Sequence, residues 1–297
     1  MSCVKWDGQL SRFFSLAAGV RQGGVLSPTL FSIYIDGIID NVKATNVGCY
    51  ISLQCCCIYL YADDIVLLAP SLTGLQLLLN ACEQELDNIG MLINVKKSSC
   101  IRFGNRFNIG LPCAEIISRH GGPIKWSDSC RYLGVQFASG REFRCNFDDA
   151  KARFFRAFNA IYSKVGGFVS VDVVLNLVRS KCLPILLYGI EGCPLLSRQI
   201  HSLEFSVTRI FMKMFHTSSS KFVEECQINF GFLPISSQLK IRTANFLQKF
   251  VASENTLCQL FSKKAATQLC FLFNQCGVKV DSASSFRNVI YKQFESL

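Results

Sequence analysis

The apolar positions fall into short alternating runs in the first half of the chain and into helical stripes in the second. Over residues 27–42, Leu30, Phe31, Tyr34, Ile35, Ile38 and Val42 follow helical spacing. Ser27 can cap that helix, and Pro28 sits in the first turn, where a missing N–H costs nothing. Residues 50–69 read as two strands around a tight turn, and Leu75 to Ile89 again has helical spacing, stopping at Gly90. Met91 to Val95, 99–103 and 131–138 read as further short strands. From about residue 148, helix follows helix. Phe154, Phe158, Ile161 and Val165 share one side of the first, opposite Arg153, Arg156 and Lys164. A second spans 172–187 with an interruption at Pro184, and a third carries Leu203, Val207, Ile210, Phe211 and Met214. The pattern predicts an α+β fold in two parts, 1–145 mixed and 146–297 all-helical, joined by the polar stretch REFRCNFDD.

Composition narrows the class. Half of the 297 residues are hydrophobic and 25 are phenylalanine, enough to build a sizeable core and to exclude a disordered chain. No run reaches the roughly 18 uninterrupted apolar residues that span a bilayer. Trp6, Asp7, Gly8 and Gln9 precede a short apolar patch with no cleavage site after it, so no signal peptide is expected and the location reads as intracellular, nuclear or cytoplasmic. The sixteen cysteines are then expected as reduced, buried thiols. Cys55, Cys56 and Cys57 are contiguous, there is no C-x-x-C, and His120, His201 and His216 stand apart, so nothing suggests a zinc site. A formal net charge of +10 suits a polyanionic partner.

The run IYLYADDIVLLAP, residues 58–70, sets Asp63 and Asp64 between apolar strands. Carboxylates buried there would be costly and mutually repulsive unless a cation joined them, and magnesium takes such oxygen ligands. A polar turn between core strands is the plainer reading of the same letters. Gly23 and Gly24 before a helix read by themselves as a turn, and Gln22 offers a donor and an acceptor.

Order supplies what the single motifs lack. GVRQGGVLSPTLFSIYID, the Tyr61-Ala62-Asp63-Asp64 stretch, GMLINVKKS, RYLGV and RSKCLPILLYGIEGCPL follow one another in a sequence that resembles the reverse transcriptases of non-LTR (LINE-type) retrotransposons. The resemblance implies a right-hand polymerase palm, an antiparallel sheet with packed helices, followed by a helical thumb. It implies that Arg21, Gln22, Gly23 and Gly24, with Tyr61 and Ala62, lie against the incoming nucleotide and template. Asp63 and Asp64 would be the Mg2+ ligands, and Lys97 would stabilise charge on the leaving pyrophosphate. Tyr132, Leu133 and Gly134 would be the primer grip, and Arg153, Arg156 and Lys164 would track the nucleic-acid backbone. The implied partners are an RNA template, a DNA primer and deoxynucleoside triphosphates, with no membrane.

The pattern departs from the family in one respect. A further metal-binding aspartate is expected on a strand before the glycine loop, and only twenty residues precede Arg21. Asp36 and Asp40 share a helix face but read as solvating its far end. The chain is therefore expected to be a truncated domain, catalytically incomplete alone and poorly soluble, in keeping with its mean hydropathy of +0.29. The alternative is a non-catalytic nucleic-acid-binding protein that keeps the basic helical part.

Overall fold

A computed structural model of the protein describes residues 2–15, 19, 23–105, 107, 113–165, 168–277 and 283–296. It divides into two compact units, Met1–Cys100 with Gly110–Ser127, and Ile101–Ile109 with Asp128–Leu297. Small antiparallel sheets and many helices make the protein α+β.

The first unit opens with β1 (Lys5–Trp6) and β2 (Gln9–Leu10), joined by Asp7 and Gly8 at φ 46° and 79°. This is the primed turn whose twist matches a hairpin. The helix expected over 27–42 is two helices, α1 (Ser27–Ile35) and α2 (Gly37–Ala44). The break lies at Asp36, whose N–H reaches only to Ile33 O (3.4 Å), while Ile39 N bonds Asp36 O (3.0 Å). These tighter steps, next to a glycine, interrupt the α-ladder. Ser27 does not cap α1 with its side chain; the capping position is Leu26. Residues 50–69 hold two hairpins rather than one, β3 (Tyr50–Ile51) with β4 (Gln54–Cys55), and β5 (Ile58–Tyr61) with β6 (Asp64–Leu67).

Helix α3 (Leu72–Asn88) begins under a side-chain cap, Ser71 Oγ accepting from Gly74 N at 3.1 Å, and Gly90 follows it at φ 69°. Met91 to Val95 is not a strand. Met91 N returns to Leu86 O, and the Asn94 carbonyl accepts from both Lys97 and Ser98 N, which curls the segment into a turn. Residues 99–103 form only single bridges, at Cys100 and Phe103. Strands β7 (Ile116–Ser118) and β8 (Gly122–Ile124) make a hairpin held on α3. Gln76 exchanges two hydrogen bonds with the Ile117 backbone, and buried Glu83 accepts from Ser118 Oγ and from Arg119 N.

The second unit starts with a three-stranded sheet, β9 (Ser129–Tyr132), β10 (Val135–Ala138) and β11 (Arg144–Asn146), with β10 central. Among the described residues ten segments of helix or helical turn follow: α4 (Asp148–Val165), α5 (Val171–Leu177), a π-helical turn (Val178–Cys182), α6 (Leu183–Leu186), a 3-10 turn (Ile190–Gly192), α7 (Ser197–Met214), α8 (Ser220–Asn229), α9 (Ile235–Val251), α10 (Thr256–Gln275) and α11 (Ala283–Glu295). Proline at 184 cannot donate to the α-ladder, and the register changes just before it in the π turn.

Phe154, Phe158, Leu175, Leu186, Phe211 and Phe232 anchor one core, which also takes Val135 and Phe137 from the sheet. Leu247, Leu269, Phe273, Phe286 and Ile290 anchor a second among the last helices. The segment Val171–Gly192 is long and apolar enough to cross a membrane by length and composition. Its residues Val174, Val178, Cys182, Leu186 and Ile190 are buried within the protein.

Candidate functional site

The ladder of β5 and β6 fixes where each residue of the aspartate hairpin points. Ile58 faces Leu67, Tyr59 faces Val66, Leu60 faces Ile65 and Tyr61 faces Asp64. Because successive side chains alternate, Ile58, Leu60, Ile65 and Leu67 share one face, and all four join the core made with α2 and α3. Tyr59, Tyr61, Asp64 and Val66 share the other. Asp63 stands in the two-residue turn, and Asp63 and Asp64 are both exposed. Burial is thus not what these carboxylates have to survive: the apolar run folds so that only one face of it is inside. Burial pushes the Tyr59 phenol up to about 12, assisted by a hydrogen bond with the Cys56 thiol, so it stays neutral beside them.

The turn itself is under strain. Ala62 has φ 51°, a left-handed conformation that a residue with a Cβ seldom adopts outside a constrained site. Among the described residues β5 and β6 pair only with each other, a ribbon rather than the broad sheet that the sequence suggests. Its base is tied down instead. Cys49 N donates to Leu68 O (3.1 Å), Cys56 N to Cys49 O (2.8 Å) and Leu68 N to Cys57 O (2.7 Å). Gly48 must be glycine for this, since at φ 111° an added Cβ would lie 2.4 Å from Cys57 Cβ.

Gly23 and Gly24 precede α1, and Gly23 adopts φ 78° with nothing within 4 Å of an added Cβ. Arg21 and Gln22 lie outside the described residues. Lys97 is exposed on the Asn94 turn, its N–H also accepted by Asn94 Oδ1 at 3.2 Å. Asp36 and Asp40 are both exposed.

In the second unit, Tyr132, Leu133 and Gly134 form the turn of the β9–β10 hairpin, with Leu133 at φ 46° and Gly134 at φ 83°. Sequence reasoning did not single out what holds this turn. Tyr188 lies flat against Gly134, where an added Cβ would be 2.8 Å from Tyr188 Cε1. Gly189, at φ 66°, leaves room for Val135, whose Cγ2 would be 2.9 Å from a Cβ there. The RYLGV and LLYGIEG stretches therefore interlock, each glycine admitting the other's side chain. The pairing of a turn glycine with a distant Tyr-Gly carries no local signal in either stretch.

A shallow cleft beside this turn is lined by Arg131, Gly134, Asp149, Arg153 and Tyr188. Arg153 is held there by Asp149 (Nε to Oδ2, 3.0 Å), whereas Arg156 and Lys164 are exposed. The four cations of α4 thus do not act alike: Lys151 and Arg153 pair with Asp148 and Asp149, while Arg156 and Lys164 are exposed.

Comparison with known proteins matches residues 1–137 to the family described as Reverse transcriptase (RNA-dependent DNA polymerase). That stretch holds the glycine loop, the aspartate hairpin and the Tyr132 turn. Residues 1–137 are thus similar to a reverse-transcriptase domain, and the chain is similar over part of its length to proteins of mobile elements. It is 28% identical over 200 residues to the RNA-directed DNA polymerase from mobile element jockey of Drosophila melanogaster, covering 63% of this chain and 20% of that protein. It is 31% identical over 147 residues to the Pol polyprotein from the type-2 retrotransposable element R2DM of the same species, 47% of this chain and 14% of the relative. Against the corresponding protein of the R2 element of Popillia japonica, identity is 23% over 215 residues, 70% of this chain and 29% of the relative. The chain therefore spans less than a third of the length of each of these relatives.

Proposed function

We propose that residues 1–145 are part of the palm of a reverse transcriptase and residues 146–297 its helical thumb with a C-terminal extension, the pair serving RNA-directed DNA synthesis on an RNA template and a DNA primer. The observation that carries this reading is the aspartate hairpin: one face in the core, a strained turn, and two carboxylates presented together at its tip. Two adjacent exposed carboxylates are the donor chemistry a magnesium ion takes, and such an ion would align the primer hydroxyl with the phosphate it attacks. Asp63 and Asp64 supply that oxygen set. Tyr61 and Ala62, with Arg21, Gln22, Gly23 and Gly24, bound the nucleotide and template. Lys97 offers a charge for the departing pyrophosphate. Tyr132, Leu133 and Gly134 position the primer end, and Arg156 and Lys164 meet the sugar-phosphate backbone, with Arg153 beside the turn.

Among the described residues no group of three or more His, Cys, Asp or Glu side chains is arranged to hold a metal ion. Two carboxylates make an incomplete cage for two-metal transfer, and the reading is that these 297 residues alone do not polymerise. Two measurements test the proposal. Purified protein is given poly(rA)·oligo(dT), dTTP and magnesium; no incorporation above background is expected, and incorporation abolished by Asp63→Ala would overturn the claim of incompleteness. Manganese binding, followed by its paramagnetic resonance, is expected to weaken in the Asp63→Asn/Asp64→Asn variant; equal binding in wild type and variant would remove the metal role.

A further inference from the structure

Helices α4 and α7 run side by side in the second unit and flank a half-open cavity of ≈ 270 Å³ lined by Phe155, Phe158, Asn159, Arg209, Ile210 and Lys213. None of these residues belongs to the aspartate hairpin, the glycine loop or the Tyr132 turn. The floor is apolar, because Phe158 and Ile210 are buried in the core. The rim is cationic and polar. The Arg209 guanidinium lies 5.6 Å from the centroid of Phe155, and Lys213 Nζ lies 6.0 Å from that of Phe158 and 5.8 Å from that of Tyr162. Lys213 also donates to Asn159 Oδ1 at 2.8 Å. Among the described residues neither Arg209 nor Lys213 forms an ion pair, and both are exposed.

We propose that this cavity binds an unstacked base of single-stranded nucleic acid, with Arg209 and Lys213 taking the flanking phosphates. Three properties select that ligand. The ring of Phe155 and the guanidinium plane of Arg209 both offer surfaces on which a base stacks, and stacking of this kind tolerates any base. Asn159 presents an amide at the mouth, its NH2 able to donate to a base edge while its Oδ1 accepts from Lys213. Two cations held over aromatic rings leave the Arg209 guanidinium and the remaining N–H groups of Lys213 to meet phosphate oxygens. A duplex, whose bases are paired and stacked, offers only its backbone to such a pocket. The site goes beyond the backbone tracking proposed for Arg156 and Lys164, and does not depend on the carboxylate pair: Asp63→Asn is expected to leave it unchanged.

The test uses the full chain and fluorescence anisotropy with labelled oligothymidylate, an abasic oligonucleotide of equal length and charge, and a duplex. Wild type is expected to prefer oligothymidylate to the abasic strand. Phe155→Leu is expected to weaken oligothymidylate binding about tenfold, as loss of one stacked base does, and to leave the abasic strand unaffected. Arg209→Gln is expected to weaken both. Equal binding of oligothymidylate and abasic strand by wild type, or unaltered binding by a folded Phe155→Leu protein, would overturn the proposal. Should that variant unfold, photocrosslinking of wild type to thiothymidine-bearing oligonucleotide decides the matter: adducts on α4 or α7 are expected, and adducts confined to other segments reject the pocket.

Discussion

Two hairpin turns of the same length behave differently in this protein. The Tyr61–Asp64 turn and the Tyr132–Val135 turn each place a residue with a Cβ in the left-handed region, Ala62 at φ 51° and Leu133 at φ 46°. The second is clamped, Tyr188 against Gly134 and Val135 against Gly189. The first has no such cover: Tyr61, Ala62, Asp63 and Asp64 are all exposed, and only the apolar face behind them is packed. Local backbone strain can thus be held by tertiary contacts at the turn itself or by a short ribbon anchored at its base. The second arrangement leaves the tip open to a ligand.

The contrast makes definite demands on substitution. Gly134→Val combines left-handed strain with a collision against the Tyr188 ring, and is expected to cost about 2–5 kcal/mol, read by urea unfolding. A loss below about 1 kcal/mol would mean that Tyr188 does not clamp the turn. Glu83→Gln removes the carboxylate that accepts from Ser118 Oγ and Arg119 N. It is expected to cost about 1–3 kcal/mol and to speed amide exchange across residues 116–124. Unchanged exchange there would show that the β7–β8 hairpin does not rely on this anchor.

Ala62→Gly lies at the other end of the scale. Relief of strain and added chain entropy oppose each other, so stability is expected to stay within about 1 kcal/mol of wild type while tip amides exchange faster. A large loss would contradict an open, uncovered turn. The smallest effect expected is one of pH. Burial raises the Glu204 carboxyl above its ordinary 4.5, so the folded protein holds that proton more tightly than the unfolded chain does. Its contribution to stability is therefore fully present below about 4.5 and is lost as pH rises through the folded value. Glu204→Gln is expected to flatten the stability profile just above that pH, and an unaltered slope would argue against the shift.

A second contrast concerns surface. The first unit leaves Trp6, Phe13, Leu26, Leu30 and Ile33 exposed, several of them on one stretch of α1, whereas the large apolar residues of α7 are mostly inside. Exposed apolar area of this kind favours self-association.

Much of the helical half is legible because helical stripes are long. The stripe of Leu203, Val207, Ile210 and Phe211 is buried as the spacing requires. The short elements resisted. Met91 to Val95 has strand-like composition, yet the Asn94 carbonyl and side chain offer closer partners than any neighbouring strand. A single run of helical spacing over 27–42 concealed the break at Asp36, because periodicity does not register a change of hydrogen-bond step.

By itself the sequence determined the likeness of the first 137 residues to a reverse-transcriptase family, the aspartate pair between two strand-forming runs, and the change to helices near residue 148. These are matters of motif order and local period. Which face of the hairpin is wet was decided by tertiary structure, as were the locking of Gly134 by Tyr188 and the assembly of Phe155, Arg209 and Lys213 around one cavity. The physical reason is range: each depends on residues brought together by burial of apolar surface, which no short window of the chain records.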